Sequence, residues 1–262
     1  MSNENKLSPI KYMRPVNKKG RSEIAQSQPQ IIFMNNGKEY LVKFKNNPQG
    51  NRMLMSEYVG TLLAQHLGLP TIPFEIVYVP KEFITENKLD SFQFKHGNQF
   101  ASLYIENCSG LWFQPNKEQV INREMLAGIV VFDFWLRNED RDASNILLQP
   151  SPKPNFYIHM IDHGNCYPRK STLLEIINNP KRLKLSVVHN WCMSMLDDKE
   201  ELTFYLNKIV NFNNDLVREL IYSIPDDWGI SDEVKKEFYT DIIEAKQVLP
   251  KVVEMMKGHV NP

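Results

Sequence analysis

Cysteine is scarce in this chain: three in 262 residues, Cys108, Cys166 and Cys192, with no Cys-x-x-Cys pair. That excludes a disulfide framework and a cysteine zinc site and leaves reduced thiols as the simplest account. Glycine is equally thin, 11 residues without a Gly-x-Gly-x-x-Gly, so any phosphate-covering loop has to work without the usual glycines. Net charge is absent too, with 31 basic and 31 acidic residues, which removes a broad electrostatic case for direct nucleic-acid binding or a membrane surface. No run is long and apolar enough for membrane insertion, and no signal peptide opens the chain, so the expected location is cytoplasmic. There is no internal repeat and no low-complexity tract. The first fifty residues are locally basic, whereas residues 197–201 and Asp226-Asp227 are locally acidic; both are read as solvated faces.

What is present is a core-forming composition, 42% apolar, and one informative constellation. Asn138-Glu139-Asp140-Arg141-Asp142-Ala143-Ser144-Asn145 places an Asn five residues after an Asp. Ile161-Asp162-His163-Gly164 then puts a second Asp at the end of an apolar run. Met125, Ile129, Phe132 and Leu136 recur at helical spacing within residues 121–136, so a buried helix delivers the polar loop. Two apolar runs around Pro150-Ser151-Pro152-Lys153-Pro154-Asn155 read as a hairpin ending at Asp162. Helix, loop with Asp and Asn, hairpin, Asp is the order a kinase uses. One carboxylate orients or accepts the proton of the attacking hydroxyl, and an amide oxygen with a second carboxylate holds Mg2+ on ATP. Read singly, Asp140-Arg141 is a surface ion pair and Asn145 a turn residue; the matched context is what favours phosphoryl transfer.

Upstream, residues 10–16, 30–34 and 39–44 read as strands, with Asn35-Asn36-Gly37 turning the second hairpin. Lys43 lies inside an apolar strand, and Glu57 projects from a helix over residues 51–67, so the two are paired as the phosphate lysine and its aiming carboxylate. Lys45 is the fallback. Gly20 and Ser22 lie in the polar turn that would cover phosphates, through backbone N–H groups and the Ser22 hydroxyl. Further strands are expected at residues 71–79, 92–94 and 100–105. In a two-lobed kinase the last of these, with Ser102, Leu103 and Tyr104, is where backbone groups contact adenine; an ordinary core strand would look the same. From Ser171 the chain reads as helices, with Ser231 capping the last and Pro250 kinking or splitting it. Trp135, Trp191 and Trp228 are read as core anchors.

Residues 131–141 with Asn145 and 161–164, Lys43-Phe44-Lys45-Asn46-Asn47-Pro48-Gln49-Gly50, Ser56-Glu57 and Gly68-Leu69-Pro70 together resemble the HipA-like kinases, bacterial relatives of the phosphatidylinositol 3/4-kinase branch of the kinase fold. The resemblance spans about residues 42–167. It implies an α+β, two-lobed protein-kinase-like fold, with an N-lobe at residues 1–105 (antiparallel sheet and one helix) and a mainly helical C-lobe at 106–262. It also implies Asp140 as catalytic base, Asn145 and Asp162 on Mg2+, and Lys43, paired with Glu57, as the residue that binds ATP phosphate. The activity implied is ATP- and Mg-dependent transfer to Ser/Thr of a protein substrate. The family includes toxins paired with antitoxins, so an antitoxin-like regulator is a further expected partner. Asp142 stands where many relatives carry His, and His163 replaces the Phe of Asp-Phe-Gly. A kinase of small molecules or lipid head groups on the same scaffold, or a nucleotide-binding pseudokinase, are the alternatives.

Overall fold

Alternating apolar residues on either side of Asn36-Gly37 fold as the hairpin they suggest. In the computed structural model, which describes residues 9–15, 26–152, 154–168 and 170–259, the strands are β1 (Pro9–Pro15), β2 (Gln30–Met34) and β3 (Glu39–Lys43). Ile32 pairs with Tyr40 across β2 and β3, and Gly37 takes φ 77°, a backbone region that costs glycine nothing. Helix α1 (Asn51–His66) follows, then β4 (Phe74–Val79), α2 (Lys81–Glu86) and β5 (Gly97–Leu103). The sheet is antiparallel in the order β1-β2-β3-β5-β4.

The chain divides into two compact units. The first comprises residues 1–58, 72–106 and 224–230. Its core is Ile32, Met34, Val42, Phe44, Val77, Val79, Phe83 and Phe94, all buried. Residues 92–94, expected as a strand, instead leave a 3-10 turn (Leu89–Phe92) through a left-handed Gln93, φ 63°. Phe94 drops into the core and stacks on Phe44 at 4.7 Å, and burying that ring overrides the short aromatic alternation.

The second unit comprises residues 59–71, 107–223 and 231–262. A small sheet, β6 (Ser109–Gly110), β7 (Ile146–Ser151) and β8 (Asn155–Met160), carries the expected hairpin. The helices are α3 (Leu126–Leu136), α4 (Lys170–Asn178), α5 (Val187–Ser194), α6 (Glu200–Val210), α7 (Asn214–Tyr222) and α8 (Asp232–His259). All of α3 is buried, and α5, α6 and α8 pack around it. It starts later than periodicity suggests. Asn122 is occupied as a strand mimic, its amide exchanging two 2.9 Å hydrogen bonds with the backbone of Ile158. Ser231 caps α8, its Oγ accepting from the Val234 N–H at 3.4 Å. The helix is not split at Pro250. Leu249, Val252, Val253 and Met256 are fully buried there, and that packing outweighs one missing backbone bond. Trp135, Trp191 and Trp228 are all buried, as expected of core anchors. Cys166 and Cys192 are buried thiols. Among the described residues no helix is long and apolar enough to cross a membrane. An α+β, two-lobed kinase-like fold is what these units compose.

Candidate active site

Asp133 lies in the middle of a helix otherwise apolar from Leu126 to Leu136, and a carboxylate there needs partners. It has three. Arg141 docks on it with both ends of its guanidinium, Nε to Oδ2 at 2.9 Å and Nη2 to Oδ1 at 3.0 Å, both side chains wholly buried. His189 Nε2 lies 3.0 Å from Oδ2, and the Asn138 amide donates to Oδ1 at 3.2 Å. Burial alone would raise the Asp133 pKa. The charge of Arg141, with the bonds from His189 and Arg141, overcomes it and holds the carboxyl well below the usual range. Arg141 still has a donor to spend: Nη1 reaches the carbonyls of Asn145 (3.0 Å) and Ile161 (2.6 Å). One buried guanidinium therefore joins the end of α3, the loop after Asp140 and the strand end that leads to Asp162. This pair was missed in the sequence, where Asp140-Arg141 was weighed as a surface ion pair. The available signal was Asp133, an acid in the centre of an apolar helix.

Around that clamp the three expected residues come together. Asp142 caps a 3-10 turn (Ala143–Asn145), accepting from the Ser144 N–H at 2.6 Å, and the turn presents Asn145. Asn145 donates through Nδ2 to the Asp140 carbonyl at 2.6 Å, which fixes the amide and leaves Oδ1 as its acceptor. Ile161 donates its N–H to the Asn145 carbonyl at 3.1 Å, and the next residue, Asp162, turns left-handed at φ 60°. Its Oδ1 accepts from the Gly164 N–H at 3.3 Å. Asp140 is held by Asn165, whose amide donates to Oδ2 at 2.7 Å. Its pKa is raised: burial is the main cause and the Asn165 bond opposes it, while the charges of Asp162 and Asp142 push it further up. Asp140 also lines an open cavity of about 510 Å³ with Arg137, Glu139, Asn165, Tyr167 and Thr172.

His163, standing in the position of a Phe, is buried as one. Its ring meets Phe132 edge-on at 5.8 Å, and Nδ1 lies 3.3 Å from Thr61 Oγ1. Gly60 is the close approach that admits it: a Cβ there would sit 2.7 Å from His163 Cβ.

The donor set suits a hard cation. No group of three or more His, Cys, Asp and Glu side chains able to hold a metal occurs among the described residues. Asn145 Oδ1 and the Asp162 carboxylate are hard oxygen donors, and a pair of that kind would suit a cation such as Mg2+ when phosphates and water supply the rest. The negative charges of Asp162 and Asp142, which add to burial in raising Asp140, are what such an ion would offset.

In the first unit, Lys43 Nζ and Glu57 Oε2 form a buried ion pair at 2.7 Å. The pairing expected from the sequence is present. Lys45, the fallback, faces elsewhere and bonds Asp227 at 2.7 Å. Asp227 is thus not part of a merely solvated face. In the segment expected to contact adenine, the N–H groups of Leu103 and Tyr104 are committed to the carbonyls of Pro73 (2.8 Å) and Glu39 (2.9 Å). Ser102 Oγ lies 3.4 Å from the Leu41 carbonyl. Gly20 and Ser22 lie outside the described residues.

Comparison with known proteins gives the same picture. A family model described as HipA-like kinase matches residues 16–255. No curated protein matches the chain. Among solved structures, the Helicobacter pylori proinflammatory kinase CtkA superimposes with a TM-score of 0.59 at 16% identity, covering 98% of this chain and 100% of that one. A Golgi casein kinase with Mn/ADP bound gives a TM-score of 0.56 at 12% identity, over 97% of this chain and 75% of that one. HipA of Shewanella oneidensis MR-1, in a complex with HipB and operator DNA, matches at 12% identity and a TM-score of 0.47, over 100% of this chain and 76% of that one. At these identities the first two superpositions speak for the fold alone.

Proposed function

This chain belongs to the HipA-like kinase family, and from that premise we propose that it transfers the γ-phosphoryl group of ATP to a Ser or Thr hydroxyl of a protein, with Mg2+ as cofactor. Asp140 accepts, or orients for loss, the proton of the incoming hydroxyl at its Oδ1, while Oδ2 is held by Asn165. A carboxylate with a raised pKa is a better proton acceptor than an ordinary surface aspartate. Asn145 Oδ1 and Asp162 would hold the metal, which when bound supplies charge neutralisation at the phosphates. Lys43, aimed by Glu57, binds a phosphate oxygen; its pairing at 2.7 Å directs the ammonium. Most of the rate enhancement then comes from positioning and electrostatics.

The observation that carries the reading is the Arg141 clamp. A fully buried arginine whose hydrogen bonds end on Asp133 and the carbonyls of Asn145 and Ile161 organises three segments around a base and a two-oxygen metal set. A merely structural loop has no need to set two further carboxylates, Asp142 and Asp162, where their charges act on Asp140. The cavity beside Asp140 is open, which suits an acceptor carried on a larger molecule.

The test is incubation of the purified chain with γ-labelled ATP and Mg2+, followed by separation of protein, lipid and small-molecule fractions. Label on protein Ser or Thr is expected, and Asp140→Ala should lower transfer about 100-fold or more while nucleotide still binds. Asp162→Ala should weaken Mg·ATP binding as well. Label confined to the lipid or small-molecule fraction would replace the protein acceptor, and undiminished turnover in Asp140→Ala would remove the assigned base.

A further inference from the structure

Lys43 stands at the end of β3 and Glu57 on the second turn of α1, and a loop, residues 44–50, is all that joins those elements in sequence. Holding an ammonium 2.7 Å from a carboxylate across such a loop needs an outside brace. The brace comes from far along the chain, residues 224–230, which belong to the same compact unit. Asp227 Oδ2 accepts from Lys45 Nζ at 2.7 Å and from the Asn98 N–H at 2.8 Å, and Oδ1 accepts from the Asn98 amide at 2.9 Å. The next residue continues the contact: Trp228 Nε1 donates to the Asn98 carbonyl at 2.8 Å. Its own carbonyl accepts from Asn51 Nδ2, on the first residue of α1, at 2.8 Å. Asn51 Oδ1 in turn receives the Asn46 N–H at 2.7 Å. The Trp228 ring is fully buried and meets Tyr58, the neighbour of Glu57, edge-on at 5.9 Å. β5 is shaped around this contact. Gly97 takes φ 114°, and a Cβ there would fall 2.2 Å from Asp227 Oδ2 and 2.5 Å from Lys45 Nζ.

The side-chain hydrogen bonds of Asp227 and Trp228 named above, and the Trp228–Tyr58 ring contact, thus land on an element that carries, or directly follows, one half of the Lys43–Glu57 ion pair, or on the strand beside it. We infer that Asp227 and Trp228 form a strap that sets the Lys43–Glu57 geometry, making Asp227 a positioning residue for binding of the nucleotide phosphates. The strap fixes where β3 ends through Lys45 and where α1 begins through Asn51, and it steadies α1 beside Glu57 through Tyr58. The inference rests on the reading of Lys43 as a phosphate ligand.

The experiment measures Mg·ATP affinity by calorimetry, and KM and kcat by labelled transfer, for the full chain and for Asp227→Ala, Asp227→Asn, Lys45→Ala and the Asp227→Ala/Lys45→Ala double variant. Asp227→Ala and Lys45→Ala should each raise Kd and KM for ATP about five- to tenfold, the worth of a partly exposed charge-assisted bond, with a smaller change in kcat. The double variant should be no weaker than Asp227→Ala alone, because both break one contact. Asp227→Asn, which keeps an oxygen for Asn98, should recover part of the affinity. A folded Asp227→Ala protein that binds ATP as the parent does, even with a lower melting temperature, would overturn the inference. So would weakened binding in Lys45→Ala alone, since Lys45 would then be a phosphate ligand in its own right. Should Asp227→Ala fail to fold, Lys45→Ala decides, an unchanged KM counting against the strap. A parent chain that binds no ATP would overturn the kinase reading together with it.

Discussion

Replacing Arg141 with Met tests the clamp on which the candidate active site is built. The change keeps most of the side-chain volume and removes a charge whose partner, Asp133, stays wholly buried. Breaking a buried ion pair by deleting one member costs about 3–5 kcal/mol, because the remaining charge is stranded in a poor solvent. The carbonyls of Asn145 and Ile161 lose a donor as well, at about 1 kcal/mol each. His189 and Asn138 still bond Asp133 and recover part of this. A net loss of about 4–6 kcal/mol is therefore expected, which in a chain of this size lowers Tm by roughly 10 °C. The loss should depend on pH with a definite sign. Asp133 is depressed in the folded protein, so the stability it contributes is present above its unfolded pKa of about 3.9 and is lost as pH falls through the lower, folded value. The parent and Arg141→Met proteins should differ fully at pH 7 and converge in acid. Urea unfolding at pH 7 and in steps down to about pH 2, followed by circular dichroism, measures both quantities. A pH 7 difference under about 1 kcal/mol would refute the argument, since it would mean that Asp133 is not held as a buried charge.

Two further outcomes follow from the same geometry. Asp140 has to be ionised to act as a base and its pKa is raised, so the acid limb of the kcat/KM profile should lie above the ordinary aspartate range; Asp142→Asn, which removes a nearby negative charge and keeps a capping oxygen, should move that limb to lower pH. Gly60→Ala should destabilise despite a gain of about 1 kcal/mol in helix propensity, because the new Cβ meets His163 Cβ at 2.7 Å and displaces a segment that begins at Asp162; a melting curve and a transfer assay would show both losses, and a Tm above the parent's would contradict the crowding.

The parts of the fold that were legible in the sequence are those set by local chemistry. Asn36-Gly37 dictates a hairpin turn, and the hairpin is there in register. The Lys43–Glu57 pairing could be read because a lysine inside an apolar strand has few acceptable neighbours, and the ion pair is present. The helix-loop-hairpin order that delivers Asp140, Asn145 and Asp162 was legible for the same reason. What escaped depended on tertiary partners that no local pattern announces. Arg141 looked exposed until Asp133 and the carbonyls of Asn145 and Ile161 closed around it, and Asp227 looked solvated because its partners, Lys45 and Asn98, lie more than a hundred residues away. Phe92 and Phe94 mimicked a strand because two aromatics at a spacing of two satisfy that period whether or not a sheet receives them.

Asp162 holds a backbone shape, φ 60°, that glycine adopts freely and an aspartate adopts only at an energetic cost of about 1 kcal/mol. Glycine at that position would relax the peptide and leave nothing to aim at a cation. The chain is therefore slightly less robust at that residue than its architecture permits. A descendant selected for durability alone would be expected to drift there, trading chemical competence for an easier bend.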